Sequence, residues 1–161
     1  MGVAERFYEA FMVRDHYTMG LLYAEHASFS DPVFPLLNAD GARLMWKMLL
    51  SRAEDFGIEV KILEDSPTHA SVDWIAHYTF SATGRHVVNR VHTEMTISLG
   101  KIVRQVDRFS LWRWSSQALG PRGLLLGWTP VVRNRIRAQA AQSLREYARK
   151  SAANVLDEER R

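Results

Sequence analysis

The chain has 161 residues, 47% of them hydrophobic and 24% charged, with a formal net charge of +3. That mix belongs to a globular domain able to bury a core, not to a disordered or fibrous chain. The chain has no cysteine, which excludes disulfide frameworks and thiol chemistry.

The opening residues "MGVAERFYEAF" lack the apolar run of a signal peptide, and no stretch approaches the length of a membrane span. A cytoplasmic location is the expectation. Val3, Phe7 and Phe11 recur every four residues and predict a first helix. Met19, Leu22 and Tyr23 predict a second, with Asp15 as its cap.

The segment "SFSDPVFP" follows. It sets one carboxylate, Asp31, among Phe29, Pro32, Val33, Phe34 and Pro35. A lone acid in apolar surroundings is costly to ionise. Asp31 is therefore a candidate general base, or the acceptor of a turn built by its own side chain. A third helix is predicted after "NADG", capped by Asp40, carrying Met45, Met48, Leu49 and Phe56 on one face and Trp46 beside them.

The period then changes. Ile58, Val60 and Ile62 alternate with polar residues, and three further stretches follow as strands, "SVDWIAHYTF", "VVNRVHTEMTIS" and "KIVRQVDRFSLWRW". Glycines mark the joints between the last three. Helices followed by an antiparallel meander predict an α+β fold with helices packed on one side of a curved sheet.

Two assumed turns set the register. With Leu99 and Gly100 as a two-residue turn, His92 falls opposite Asp107. With a three-residue loop at residues 83–85, Trp74 falls opposite Glu94 and Tyr78 opposite Arg90. One face then carries Trp74, Tyr78, Phe80, Arg90, His92, Glu94, Gln105, Asp107 and Phe109. In the other reading Val91, Thr93, Met95 and Ile97 form the core, and Arg90, His92 and Glu94 are solvated. A one-residue slip exchanges the two.

After "GPRGLLLGWTP", Pro130 with Thr129 as cap starts a last helix striped by Val132, Ile136, Ala140, Leu144 and Tyr147. The segment 121–161 is expected to pack on 1–120 within a single domain. Its arginines suit a membrane surface, but packing on its own barrel or on a dimer partner accounts for the same residues and is preferred. No metal-ligand spacing and no glycine-rich phosphate loop occurs, so no cofactor is expected, and the basic residues from Arg133 onward read as a solvated helix face rather than a nucleic-acid surface.

The order of segments, with "FSDPVF" after the second helix and "GKIVRQVDRF" in the last strand, resembles the nuclear-transport-factor-2-like superfamily in its SnoaL-like and ketosteroid-isomerase-like branch. The likeness runs from about Phe7 to Trp114. It implies a cone, a curved antiparallel sheet around N-terminal helices, with an extra C-terminal helix here. It also implies the polar-inward register and a homodimer.

The resemblance puts Asp31-Pro32-Val33 in the place of the steroid isomerases' base. His92 stands where their oxyanion-holding Asp would be, and Phe7 where their Tyr would be, with Tyr8 one residue off. These departures argue against steroid isomerisation itself. Arg90 and His92 with Asp107 only partly resemble the water-holding set of limonene-epoxide-hydrolase-like members. The expected site is Asp31, His92 and Asp107 for acid–base catalysis, with Tyr8, Trp46, Trp74, Tyr78, Arg90 and Phe109 around a small apolar organic ligand. A ligand-binding or dimerisation module without catalysis is the alternative.

Overall fold

The structure, a computed structural model, describes residues 1–160. Helix α1 (Val3–Met12) buries Val3, Ala4, Phe7, Tyr8, Ala10 and Phe11, the predicted stripe widened to a full face. Helix α2 (His16–Leu21) is capped as expected, since Asp15 accepts the Thr18 N–H at 3.0 Å. Helix α3 (Ala39–Arg52) is capped by Asn38, which accepts the Gly41 N–H at 2.8 Å, not by Asp40. Asp40 lies one residue inside and pairs with Arg43 at 2.9 Å. Phe56, expected on α3, belongs to the next strand.

Six strands form one sheet in the order β2-β1-β6-β5-β4-β3. They are β1 (Tyr23–Ser30), β2 (Leu37–Asn38), β3 (Glu54–Asp65), β4 (His69–Phe80), β5 (Arg85–Ser98) and β6 (Lys101–Arg108). Strand β1 has no counterpart among the predicted elements. It pairs in parallel with β6, while every other pair is antiparallel. Its residues "YAEHASFS" alternate poorly, because Glu25 and His26 fall consecutively where the pairing with β6 is interrupted.

The two hairpin joints decide which side chains face inward. Leu99 and Gly100 both take positive φ, 50° and 72°, and Ser98 pairs with Lys101 as expected. After Ile97 with Ile102, however, Thr96 pairs with Arg104, leaving Val103 as an extra residue. From there Thr93 stands opposite Asp107, and His92 opposite Arg108. The other joint is four residues long, with Phe80 paired to Arg85, so Trp74 meets Val91 and Tyr78 meets Val87.

Both departures are odd numbers of residues, so β5 is inverted relative to both neighbours while β4 and β6 keep the predicted facing. The inner face carries Val72, Trp74, Val91, Thr93, Met95, Gln105 and Asp107, all buried. Arg90, His92 and Glu94 lie on the outer face. The polar-inward register for β5 is thereby corrected, and the reading that makes Val91, Thr93, Met95 and Ile97 the core is the one the fold adopts.

An aromatic cluster lies at the centre of the core. Phe7, Tyr8, Phe11, Phe29, Trp46 and Trp74 lie ring to ring, with successive centroids 5.0–6.4 Å apart and mostly edge-on. The fourth predicted strand, drawn through Trp114, ends at Arg108, because Ser110 accepts the Arg113 N–H and caps a helix. The segment up to Pro130 holds two helices, α4 (Leu111–Leu119) and α5 (Pro121–Leu126). Helix α6 (Pro130–Glu159) begins as predicted, with Thr129 accepting the Val132 N–H. Its Ala140, Leu144 and Tyr147 pack against the core. Near its start the Arg137 guanidinium donates to the Pro32 carbonyl at 2.9 Å, fastening the helix to the loop that holds Asp31.

Candidate functional site

Asp31 ends β1 and turns the chain. Its Oδ1 accepts the N–H groups of Val33 and Phe34 at 2.7 and 2.6 Å, and its own N–H donates to the Phe34 carbonyl. This is the side-chain turn expected as one of its two roles, and it fixes the direction of the carboxylate. Burial pushes the Asp31 carboxyl up to about 6, against the pull of those two amides and of the Arg137 charge.

Asp107 lies on the inner face of β6, 4% exposed. Its Oδ1 accepts from Thr93 Oγ1 at 2.7 Å and from Gln105 Nε2 at 3.1 Å. Each donor is held in turn. Trp74 Nε1 donates to Thr93 Oγ1 at 2.9 Å, which frees the Thr93 proton to point at Asp107. Tyr23 donates to Gln105 Oε1 at 2.6 Å and itself accepts from Trp46 Nε1 at 2.9 Å. A buried chain thus runs from two indoles to one carboxylate oxygen. Burial raises the Asp107 carboxyl to about 7 despite these donors, and the charge of Asp31 adds to the rise.

Tyr8 completes the group. Its hydroxyl is buried and is close to Thr93 and Asp107, yet it makes no hydrogen bond. Burial, then the charge of Asp107, raises it well above the ordinary tyrosine range. Most buried polar groups are partnered, so a lone hydroxyl near the Asp107 carboxyl is a donor without an acceptor.

Asp31, Asp107, Tyr8, Trp46 and Trp74 therefore share the cone interior. Phe109 packs half-buried at its edge, and Tyr78 accepts from Trp114 Nε1 at 2.7 Å. His92 and Arg90 do not join them. On the outer face, His92 Nδ1 stands 2.7 Å from Asp73 Oδ1 and Nε2 2.6 Å from Glu94 Oε1. Only an imidazolium can donate to both, and the Asp73 and Glu94 hydrogen bonds raise its pKa. The expected His92–Asp107 pair is replaced by Thr93–Asp107.

Sequence reasoning missed Thr93 and Tyr23 as parts of the site, the first through the inverted strand and the second with β1. Arg137 was not selected either, since nothing in a basic helix distinguishes one arginine. Among the described residues no three His, Asp or Glu side chains gather as a metal site. No helix there is long and apolar enough to cross a membrane.

A cone with an inward acid on its last strand and a second acid after its first defines the fold class, and comparison gives the family. The model of the SnoaL-like domain matches residues 4–105, and the chain belongs to that family. A search of curated proteins finds no match. Among solved structures, a protein of ketosteroid-isomerase-like fold from Catenulispora acidiphila, in complex with trimethylamine, superposes with a TM-score of 0.64 at 14% identity, over 80% of this chain and 97% of that one. IdmH, a proposed polyketide cyclase from Streptomyces antibioticus, gives 0.60 at 19% identity, over 71% and 94%. An epoxide hydrolase of the LEH type from M. tuberculosis gives 0.57 at 18% identity, over 80% and 93%. At such identities the likeness is one of fold.

Proposed function

We propose that the chain is a cofactor-independent acid–base enzyme acting on a mostly apolar organic molecule, with Asp31 and Asp107 as its proton-transfer pair. The observation that carries this reading is two desolvated carboxyls, raised to about 6 and about 7, facing one interior with an unpartnered tyrosine hydroxyl. A base works best when its pKa lies near the working pH, and paired acids with unequal environments divide the roles of base and acid.

Asp31 has two amide donors and a nearby guanidinium, so it is the member that ionises first and takes the proton. Asp107 retains its proton up to about pH 7 and donates a hydrogen bond to an oxygen on which charge develops, joined by the free Tyr8 hydroxyl. That division suits proton transfer next to a carbonyl, and through it isomerisation, cyclisation, or addition and loss of water. The proposed cyclase among the structural neighbours lies within this range of chemistry.

One observation favours a second reading. Asp31 caps its own turn and Asp107 anchors two donors, so both acids have structural work, as in a binding module without turnover.

Deuterium uptake from heavy water into a panel of apolar cyclic ketones separates the two. The enzyme reading expects exchange that Asp31→Asn abolishes with the far-ultraviolet spectrum unchanged. No exchange above background by the native chain across the panel refutes it in favour of the module.

A further inference from the structure

The segment joining β6 to α6 is built inside out. Helix α5 turns Gly123 and the glycine that caps it, Gly127, inward. A Cβ on Gly123 would stand 1.9 Å from the Ser115 carbonyl oxygen, and one on Gly127 would stand 2.2 Å from Ser115 Oγ. Only glycine permits that contact with α4. The residues between and beside them face solvent. Leu124, Leu125, Leu126 and Trp128 are 52, 69, 52 and 66% exposed, and Trp112 and Val131 flank them at 41 and 75%. A packed helix normally shows the reverse pattern.

The patch is contiguous, and its backbone is already satisfied. Trp112 Nε1 donates to the Leu124 carbonyl at 3.1 Å, and Trp128 Nε1 donates to the Leu125 carbonyl at 3.0 Å. Thr129 donates to the Leu126 carbonyl through both N–H and hydroxyl, at 2.9 and 2.6 Å. The last carbonyls of a helix otherwise need water. Here three consecutive carbonyls and two indole N–H groups are paired off before anything binds, so the tip can leave water at small polar cost.

Its surroundings carry one sign of charge. Between Asp107 and Glu146 the sequence has seven arginines and no acid. Of these, Arg113, Arg122, Arg133 and Arg135 are exposed, and none forms an ion pair among the described residues. Along the same edge a groove of about 410 Å³ carries Arg85 and His86 beside Leu124. A second copy laid on this face would set arginine against arginine. An anionic bilayer offers both what the leucines and indoles want and what the arginines want.

We propose that the Leu124–Val131 tip, ringed by Arg113, Arg122, Arg133 and Arg135, is a docking surface for an anionic phospholipid membrane. The tip enters the headgroup boundary without spanning it. The Arg137–Pro32 bond lies six residues along α6 from Val131, about 9 Å at the helical rise, so docking sets the Asp31 loop close to the lipid. The proposal does not depend on catalysis.

Co-sedimentation with vesicles of phosphatidylcholine, with and without phosphatidylglycerol, tests it. The full chain is expected to bind the anionic vesicles, weakly or not at all the neutral ones, and less as salt rises. Each arginine near the surface contributes about fivefold, so Arg122→Gln with Arg133→Gln lowers partitioning roughly twenty- to thirtyfold. Leu125→Ser with Trp128→Ser, both exposed, abolishes binding while circular dichroism stays native. Equal binding to both vesicle types, no binding to either at low salt, or binding indifferent to the Leu125 and Trp128 changes overturns the proposal. So does an oligomer in sedimentation velocity that these changes dissolve without any vesicle binding, which would make a second copy the occupant.

Discussion

Replacing Asp107 by Asn tests whether the interior holds a carboxyl near neutrality. The folded chain binds the Asp107 proton more tightly than the unfolded chain, with a pKa of about 7 against an ordinary 3.8. The folded state therefore loses stability as pH rises from about 4 to about 7, and the loss levels off above that. A difference of roughly 3 pKa units corresponds to about 4 kcal/mol. Asn keeps Oδ1 as the acceptor for Thr93 and Gln105 and never ionises. Urea denaturation of both chains, at intervals from pH 4 to pH 8, gives the contribution of Asp107 together with its coupling to Asp31, because titrations of distant groups cancel. The variant should match the native chain near pH 4 and exceed it by up to about 4 kcal/mol at pH 7 and above. A difference that stays flat across the range refutes the reasoning, since Asp107 would then ionise as easily inside the cone as out of it.

Three further outcomes follow from the same structure. Tyr8→Phe removes a buried hydroxyl that has no partner and should stabilise the chain by about 1 kcal/mol in denaturation, while slowing any exchange that uses Asp107. His92→Ala removes a partly exposed imidazolium between Asp73 and Glu94 and should cost less than about 1 kcal/mol. The raised His92 pKa means that this cost is complete below about pH 6.5 and fades as pH rises through the folded value, and exchange should not change. Gly123→Ala forces a methyl against the Ser115 carbonyl and should cost about 1–3 kcal/mol, or free α5, read as faster tryptic cleavage after Arg122.

Much of the fold was legible because it rests on periodicity. The α1 stripe, the Asp15 cap, the alternation in β3 to β6 and the Thr129-Pro130 start of α6 are local signals, and each is present. What failed was non-local. Strand β1 takes its identity from pairing with β6 across the chain, and its own alternation is broken at Glu25 and His26. The extra residue at Val103 carries no composition mark, since a valine fits a bulge and a regular strand equally. That single residue put His92 in the place of Thr93 in the predicted site. Asp31 and Asp107 lie inward as expected because their placement depended on a loop and on β6, neither of which was inverted. The aromatic residues Tyr8, Trp46 and Trp74 are inside as expected because bulk of that size is buried in either register.

The parallel β1–β6 seam has a consequence during synthesis. Tyr23 lies beside Ile102 and Ser30 beside Val106, so this joint cannot form until the ribosome has passed the last strand. Until then α1, β1 and α3 are already outside the exit tunnel with Phe7, Phe29 and Trp46 uncovered. The nascent chain must wait in that sticky condition through the three intervening strands, which makes truncation before β6 a route to aggregates.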